Sequence, residues 1–262
     1  MSVACDASLD DYVIVIPSYN RLTVFKSKTL AFLKKHGVPR CKIYVFITEQ
    51  DIISYKEIEN DVILQVGLLG LSNQRDFIFD FFPVGTKIVS FDDDVSDMFI
   101  KINDDLVPIA SLDVLIKKGF ALCEKHGASL FGVYPVRNTF FMKNNKESTT
   151  KITTNLRFIV GPFFGCINPG STIRGEGHDE KEDYLRTIKF WLKDSAIIRF
   201  NHLSLQTRVY AGGGGITKGV ARLERERLVV AKLLAQYPQY LKPKKCKSKY
   251  PEIRLLSVYK SE

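Results

Sequence analysis

Apolar residues fall into short dense runs, separated by stretches where they recur every three or four positions. Tyr12-Val-Ile-Val-Ile16, Lys42-Ile-Tyr-Val-Phe-Ile47, residues 62–66 and Lys87-Ile-Val-Ser-Phe91 are β-branched and aromatic runs of strand length, the first closed by Pro17. Between them, residues 22–36 carry Phe25, Leu30 and Leu33 beside a basic face, with Gly37 as the stop. Residues 55–60 read as a short helix. Ser72 is placed to cap a helix whose apolar positions are Phe77, Ile78, Phe81 and Phe82, with Pro83 ending it. Residues 112–126 form another amphipathic helix, followed by a strand at 129–133.

Strands alternating with helices predict a mainly parallel sheet covered on both faces. Ligands bind such sheets beyond the carboxyl ends of the strands. Two polar clusters stand there, Ser18-Tyr-Asn-Arg21 after the first strand and Asp92-Asp93-Asp94 after the fourth. Beyond residue 134 the pattern changes. Residues 153–167 read as a hairpin turning at Gly161-Pro162. A helix follows at 182–192, a strand at 196–200, a four-glycine run at 212–215 and a helix at 220–237. The glycine run reads either as a lid over a diphosphate or as a passive linker. The expected organisation is one α/β domain over residues 1–241 and a basic extension over 242–262.

Composition narrows the class. Of the 262 residues 45% are hydrophobic and 26% charged, which excludes disorder and low-complexity scaffolds for the whole chain. No apolar run is long enough to cross a bilayer, and no secretory signal stands at the start. Five scattered cysteines, never spaced C-x-x-C, argue against a disulfide framework and a zinc ribbon. A soluble, intracellular protein is the expectation. The net charge is +9, and residues 242–260 hold seven cations against Glu252 alone. A basic segment so concentrated suits a polyanion, most simply nucleic acid, or is a plain solvated tail. Tyr237, Tyr240 and Tyr250 are interleaved with it and could pack it down instead.

Three consecutive carboxylates repel one another, and a divalent cation offsets that repulsion. Oxygen ligands able to share a cation with phosphates suit Mg²⁺ or Mn²⁺. Asp92 and Asp94 share a face of an extended segment. The plain alternative is an acidic turn capping the next helix. No G-x-x-x-x-G-K-[ST] loop is present, so a P-loop ATPase is not expected.

Pro17-Ser-Tyr-Asn-Arg21, Tyr44-Val-Phe46, Gly67-Leu-Leu-Gly-Leu-Ser-Asn-Gln-Arg75 and Ile88-Val-Ser-Phe-Asp-Asp-Asp-Val95 together resemble the GT-A glycosyltransferases. Within these the chain is most similar to the TET-associated and base-J-type DNA glycosyltransferases of phages, large viruses and some eukaryotes. The resemblance spans residues 12–210 and is strongest in the first hundred. It implies a Rossmann-like, mostly parallel GT-A sheet and a nucleotide-sugar donor, UDP-glucose. It also implies a hydroxymethylated pyrimidine in DNA as acceptor. Pro17, Ser18, Tyr19, Asn20, Arg21, Gln74, Arg75, Asp92 and Asp93 are then the expected donor-binding residues, with Tyr19 against the base and Arg21 or Arg75 near the diphosphate. Asp92, Asp94 and the late His202 are the expected metal ligands. Glu182-Asp183 looks like the acidic motif that GT-A enzymes place at a helix start facing the acceptor. Asp183 is the expected base, Glu182 the second choice, and the expected outcome is inversion. The helix dipole lowers the pKa of a carboxylate there, while burial raises it. His178 could contact acceptor, and His36 and His126 read as helix-end residues. Three rivals stay open: a transferase acting on a polysaccharide, glycan or protein, a non-catalytic nucleic-acid-binding module, and a nucleotidyltransferase.

Overall fold

A computed structural model of the chain describes residues 11–142, 151–207, 220–245 and 249–256. The four-glycine run and Cys5 and Cys246 lie outside them. The first half alternates as the periodicity predicts. Strand β1 (Tyr12–Pro17) leads into a continuous helical rod made of α1 (Leu22–Phe25), a π turn (Lys26–Leu30) and α2 (Ala31–Lys35). Next come β2 (Ile43–Ile47), α3 (Ile52–Tyr55), β3 (Ile63–Val66), α4 (Leu71–Phe81) and β4 (Lys87–Phe91). A β5 (Asp97–Ile102) and β6 (Asp105–Pro108) hairpin precedes α5 (Leu112–His126) and β7 (Leu130–Tyr134). The rest is β8 (Ile152–Thr153), β9 (Phe163–Ile167), α6 (Glu182–Asp194), β10 (Ile198–Gln206), α7 (Val220–Gln236), β11 (Leu241–Lys244) and β12 (Glu252–Leu255).

The main sheet runs β3-β2-β1-β4-β9-β7-β10-β5-β6, with β8 on β10. Strands β1 to β4 are mutually parallel, and β10 is parallel to β7. Only β9, β5 and β8 run against the rest. Side-chain alternation along β1 sorts the core into two layers. Ile14 and Ile16 face the rod, α3 and α5, where Phe25, Phe32, Tyr55 and Phe120 lie. Val15 faces α4 and α6, with Ile78, Phe79, Phe190 and Trp191. The expected mostly parallel sheet, covered on both faces, is present.

Four local expectations change. Residues 153–167 are not a hairpin, because β8 pairs with β10 while β9 slots between β4 and β7. Two glycines make that position possible: a Cβ on Gly165 would lie 2.0 Å from the Phe131 ring, and one on Gly119 of α5 2.5 Å from it. The strand expected at 196–200 extends to Gln206 through a register shift between Phe200 and Ser204. Ser72 is not the cap of α4. Gly70, at φ 95°, takes that place, and the Ser72 N–H donates to Asp179 Oδ1 at 2.9 Å. Cys41 is disulfide-bonded, which the irregular cysteine spacing did not suggest. Among the described residues no helix is long and apolar enough to cross a membrane.

The C-terminal segment is not a loose extension in its described part. β11 and β12 pair antiparallel, and Leu241 and Ile253 are buried with Leu185 and Ile188 of α6 and Val229, Val230 and Leu233 of α7. Tyr237 is buried there and Tyr240 packs beside it. Both rings thus pack the segment onto the body of the protein.

Candidate active site at the carboxyl ends of β1 and β4

Strand β1 stops at Pro17, and Ser18 turns inward. Its hydroxyl donates to Asp93 Oδ2 at 2.8 Å and lies 2.6 Å from the buried Tyr55 hydroxyl. Asn20 takes a left-handed conformation (φ 51°), steadied where its N–H donates to Asp51 Oδ1. That turn swings Arg21 over the acidic triplet. One guanidinium nitrogen meets Asp93 Oδ1 at 2.8 Å and the other Asp94 Oδ2 at 3.0 Å. Tyr19, between them, is half-exposed at the rim.

The triplet is held by its backbone as well. The Asp92 N–H donates to Pro162 O, and the Asp92 carbonyl accepts from Thr29 Oγ1 at 2.7 Å. The same hydroxyl accepts from the Val95 N–H at 3.0 Å. Alternation then separates the three carboxylates: side-chain exposure is 29% at Asp92, 5% at Asp93 and 12% at Asp94. Burial, working against Arg21 and Ser18, pushes the Asp93 carboxyl up to about 7. Burial raises Asp94 too, and the adjacent charge of Asp92 adds to it. Asp93, expected at the donor, is thus held inward by Ser18 and Arg21, Asp94 is buried under Arg21, and Asp92 is the most exposed of the three.

Arg75 connects this triplet to the second acidic cluster. It comes from α4 and is buried. One nitrogen reaches Asp92 Oδ1 at 3.1 Å and Gly161 O at 3.1 Å, and another pairs with Glu182 Oε1. The second oxygen of Glu182 takes Arg186 at 2.7 Å. Arg186 lies 3.8 Å from the Phe164 ring centroid. Burial lowers both guanidiniums to about 10. Next to Glu182, Asp183 caps no other side chain in this network. Burial raises its pKa against the pull of Arg186, Arg75 and Lys181. Desolvation therefore outweighs the neighbouring cations at this position. The entry to α6 is itself unusual. Lys181 is left-handed (φ 56°) and is held by Glu252 at 3.4 Å and Glu226 at 3.9 Å.

Two expected residues are not brought to this crevice. Gln74 is buried, and its Oε1 accepts the Leu68 N–H, fastening the loop before α4. His202 lies at the shifted register of β10, with Nδ1 2.9 Å from Lys151 O. The charges that act on it are Lys151 and Lys118, and burial lowers its pKa. His178 sits against Lys232 Nζ at 2.9 Å. His36 and His126 stand at helix ends beside left-handed Gly37 and Gly127, as expected. Residues that sequence reading did not single out also build the site: Thr29, Tyr55 and Arg186. Cys123 and Cys166 are free, buried thiols pushed up to about 12 by burial, unsuited to act as nucleophiles.

The donor set suits a hard divalent cation. The cluster sets Asp92, Asp93, Asp94, Glu182 and Asp183 against Arg21, Arg75, Arg186 and Lys181, with burial favouring the neutral form of Asp93 and Asp183. Among the described residues no three His, Cys, Asp or Glu side chains converge to cage a metal. A cation of the Mg²⁺ type does not need a cage, since one or two carboxylates with substrate phosphates and water complete its shell. Asp92 and Asp94 are the candidates for that pair.

No protein-family profile matches the sequence, and neither does any curated protein. Solved structures do match in fold. Over 86% of this chain it superposes on S. aureus TarS residues 1–349 with TM-score 0.51 and 16% identity, covering 65% of that chain. Against full-length S. aureus TarS the TM-score is 0.50, the identity 17% and the share of that chain 40%. The chain thus spans less than two thirds of either. Glucosyl-3-phosphoglycerate synthase from Mycobacterium tuberculosis, solved with Mn²⁺, UDP and phosphoglyceric acid, matches over 95% of this chain and 87% of its own with TM-score 0.52 and 11% identity. At such identities the likeness is one of architecture, and that architecture is the Rossmann-like α/β sheet of the GT-A type.

Proposed function

We propose that the chain is a metal-dependent hexosyltransferase that moves glucose from UDP-glucose to the hydroxyl of a hydroxymethylated pyrimidine in DNA, with inversion. The observation that carries this reading is the buried bridge Asp92–Arg75–Glu182, which sets the triplet and the acidic start of α6 on two sides of one guanidinium. Proteins of this architecture have been solved with UDP and with Mn²⁺ together with UDP, which supports the donor class. The basic C-terminal segment supports a DNA acceptor.

Each residue then has a task. Asp92 and Asp94 would hold Mn²⁺ or Mg²⁺, which would supply Lewis-acid stabilisation of a departing diphosphate. Arg21 aims Asp94 and anchors Asp93, and Ser18 fixes Asp93 from the other side. Tyr19 offers its ring to the uracil base. Glu182 has both oxygens engaged by arginines, so it positions and does not take protons. Asp183 accepts the proton of the attacking hydroxyl, its raised pKa bringing it nearer the range a general base needs. A target base inside a duplex has to be flipped out to reach it.

The test is incubation with radiolabelled UDP-glucose, Mn²⁺ and DNA carrying 5-hydroxymethylated pyrimidines. Label is expected in the DNA, and Asp94→Asn is expected to slow transfer by roughly a thousandfold, the several kcal/mol of Lewis-acid stabilisation. Transfer to a glycan or protein with none to DNA overturns the acceptor. Release of pyrophosphate instead of UDP identifies a nucleotidyltransferase.

A further inference from the structure

A small void adjoins the Asp92–Arg75–Glu182 bridge. It has a volume of about 20 Å³, and its wall includes Ser72, Arg75 and Asp76 of α4, Gly175 of the loop before α6, and Glu182 and Arg186 of α6. Three side chains of this wall carry a buried polar atom with no hydrogen-bond partner among the described residues: Ser72 Oγ, Arg75 Nε and Arg186 Nε. The three residues are only 2%, 6% and 5% exposed, so bulk water does not serve them. The other guanidinium nitrogens are engaged. Those of Arg75 reach Glu182, Asp92 and Gly161 O, and those of Arg186 reach Glu182 and Ile159 O. In each arginine the Nε–H alone is left over.

A buried donor without an acceptor is costly, and native proteins supply one from the chain or from ordered water. Size and charge decide which occupant fits. One water needs roughly 10–15 Å³, so the void takes a water and excludes a phosphate or an organic molecule. Two guanidiniums by themselves would suit a halide. Asp76 and Glu182 stand in the same wall, however, and a carboxylate repels an anion. A water meets both demands. Its lone pairs accept from the two Nε–H groups, and its protons go to Ser72 Oγ and to a carboxylate oxygen of the wall. The loop is shaped to leave that room. A Cβ on Gly175 would lie 2.1 Å from Ser72 Oγ, and the Gly175 N–H is fixed where it donates to Asp76 Oδ1 at 2.9 Å. The Ser72 N–H is fixed on Asp179 at 2.9 Å.

We propose that this void is a hydration site, in which one buried water joins Ser72 Oγ, Arg75 Nε and Arg186 Nε and closes a ring of hydrogen bonds with the Glu182 carboxylate. The water sets the planes of both guanidiniums and hence the carboxylate between them. Ser72 and Gly175 are then positioning residues for Glu182. None of this depends on what group the protein transfers.

The first test is a crystal structure of the full-length chain at a resolution that shows ordered solvent. One water is expected within about 3.2 Å of all three atoms. The second is oxygen-17 relaxation dispersion, which counts long-lived internal waters in solution. The variant S72A/G175A removes the hydroxyl and sets a methyl group beside its place. Gly175 is not at positive φ, so alanine suits its backbone, and a melting curve checks the fold. This variant is expected to lose the water from the crystal and one long-lived water from the count. Ser72→Ala alone is expected to lower the occupancy of the site without moving it. A wild-type void with no water in it, a bromide peak there after a bromide soak, or equal counts in the wild type and the double variant overturns the proposal. Water found there in a chain that transfers no sugar supports this site and counts against the transferase reading alone.

Discussion

Arg75 and Arg186 decide which of the two carboxylates at the start of α6 can take a proton. Glu182 gives one oxygen to each arginine, so protonating it would break two charge-assisted bonds. Asp183 feels both charges without being consumed by them, and burial still raises its pKa. The sign follows. In the proposed reaction Asp183 must be ionised to act, so transfer is expected to rise with pH through its ionisation, on an acid limb above the ordinary value of about 3.9. Asp183→Asn is expected to lower kcat by about a hundredfold or more and to abolish that limb, read from kcat across pH at saturating donor. At this scale the clustering of Asp92, Asp93, Asp94 and Arg21 beyond the strand ends was legible, while the pairing of Arg75 with both Asp92 and Glu182 was not. Arg186 was not, because an arginine one turn into a helix looks like any solvated cation. His202 fitted the order of the chain but not its register: the shift in β10 turns it toward Lys151, and nothing in its neighbours announces that shift.

Elements explain how the triplet keeps its shape. The π turn at Lys26–Leu30 brings Thr29 round to clamp Asp92 and Val95. The spacing of Phe25, Leu30 and Leu33, five and then three, carries the trace of that wider turn, although an ordinary helix accounts for it equally well. Thr29→Val keeps the shape and deletes the hydroxyl, leaving the buried Val95 N–H unpaired. It is expected to cost about 1–3 kcal/mol in urea denaturation and to reduce transfer, with Thr29→Ser recovering both. The glycines around Phe131 are a second device. Gly165→Ala is expected to destabilise by about 1–3 kcal/mol, and Gly119→Ala combined with it to depart from additivity, because both press on one ring. The position of β9 could not be read in advance. Alternation says that a segment is a strand but not which strand it joins, and β9 joins two that are remote in sequence.

For the whole molecule, the hairpin that ends the described chain is a structural part of it. Removing residues 237–262 takes away buried Tyr237, Leu241 and Ile253 and uncovers Leu185 and Ile188 on the outer side of α6. At about 1.5–3 kcal/mol for each buried side chain, the truncated protein is expected to melt roughly ten degrees lower or more in a thermal scan. The alternating first half and its two-layer core were legible, because β1, β2 and β3 pair in sequence order through single crossovers and β4 returns to the free side of β1. The basic composition of the tail was legible as well. Its docking was not, since lysines and prolines hide the two apolar residues that bury it.

Lys181 gives that docking a further meaning. It enters α6 with a left-handed backbone, tethered by Glu226 from α7 and Glu252 from β12. The entry to α6, where Glu182 and Asp183 stand, is therefore held by two glutamates contributed by other elements. Glu226→Gln at a buried side chain, or Glu252→Gln at a half-buried one, is expected to loosen the entry to α6, and under the proposed reaction the injury surfaces as slower turnover with an unaltered grip on the donor.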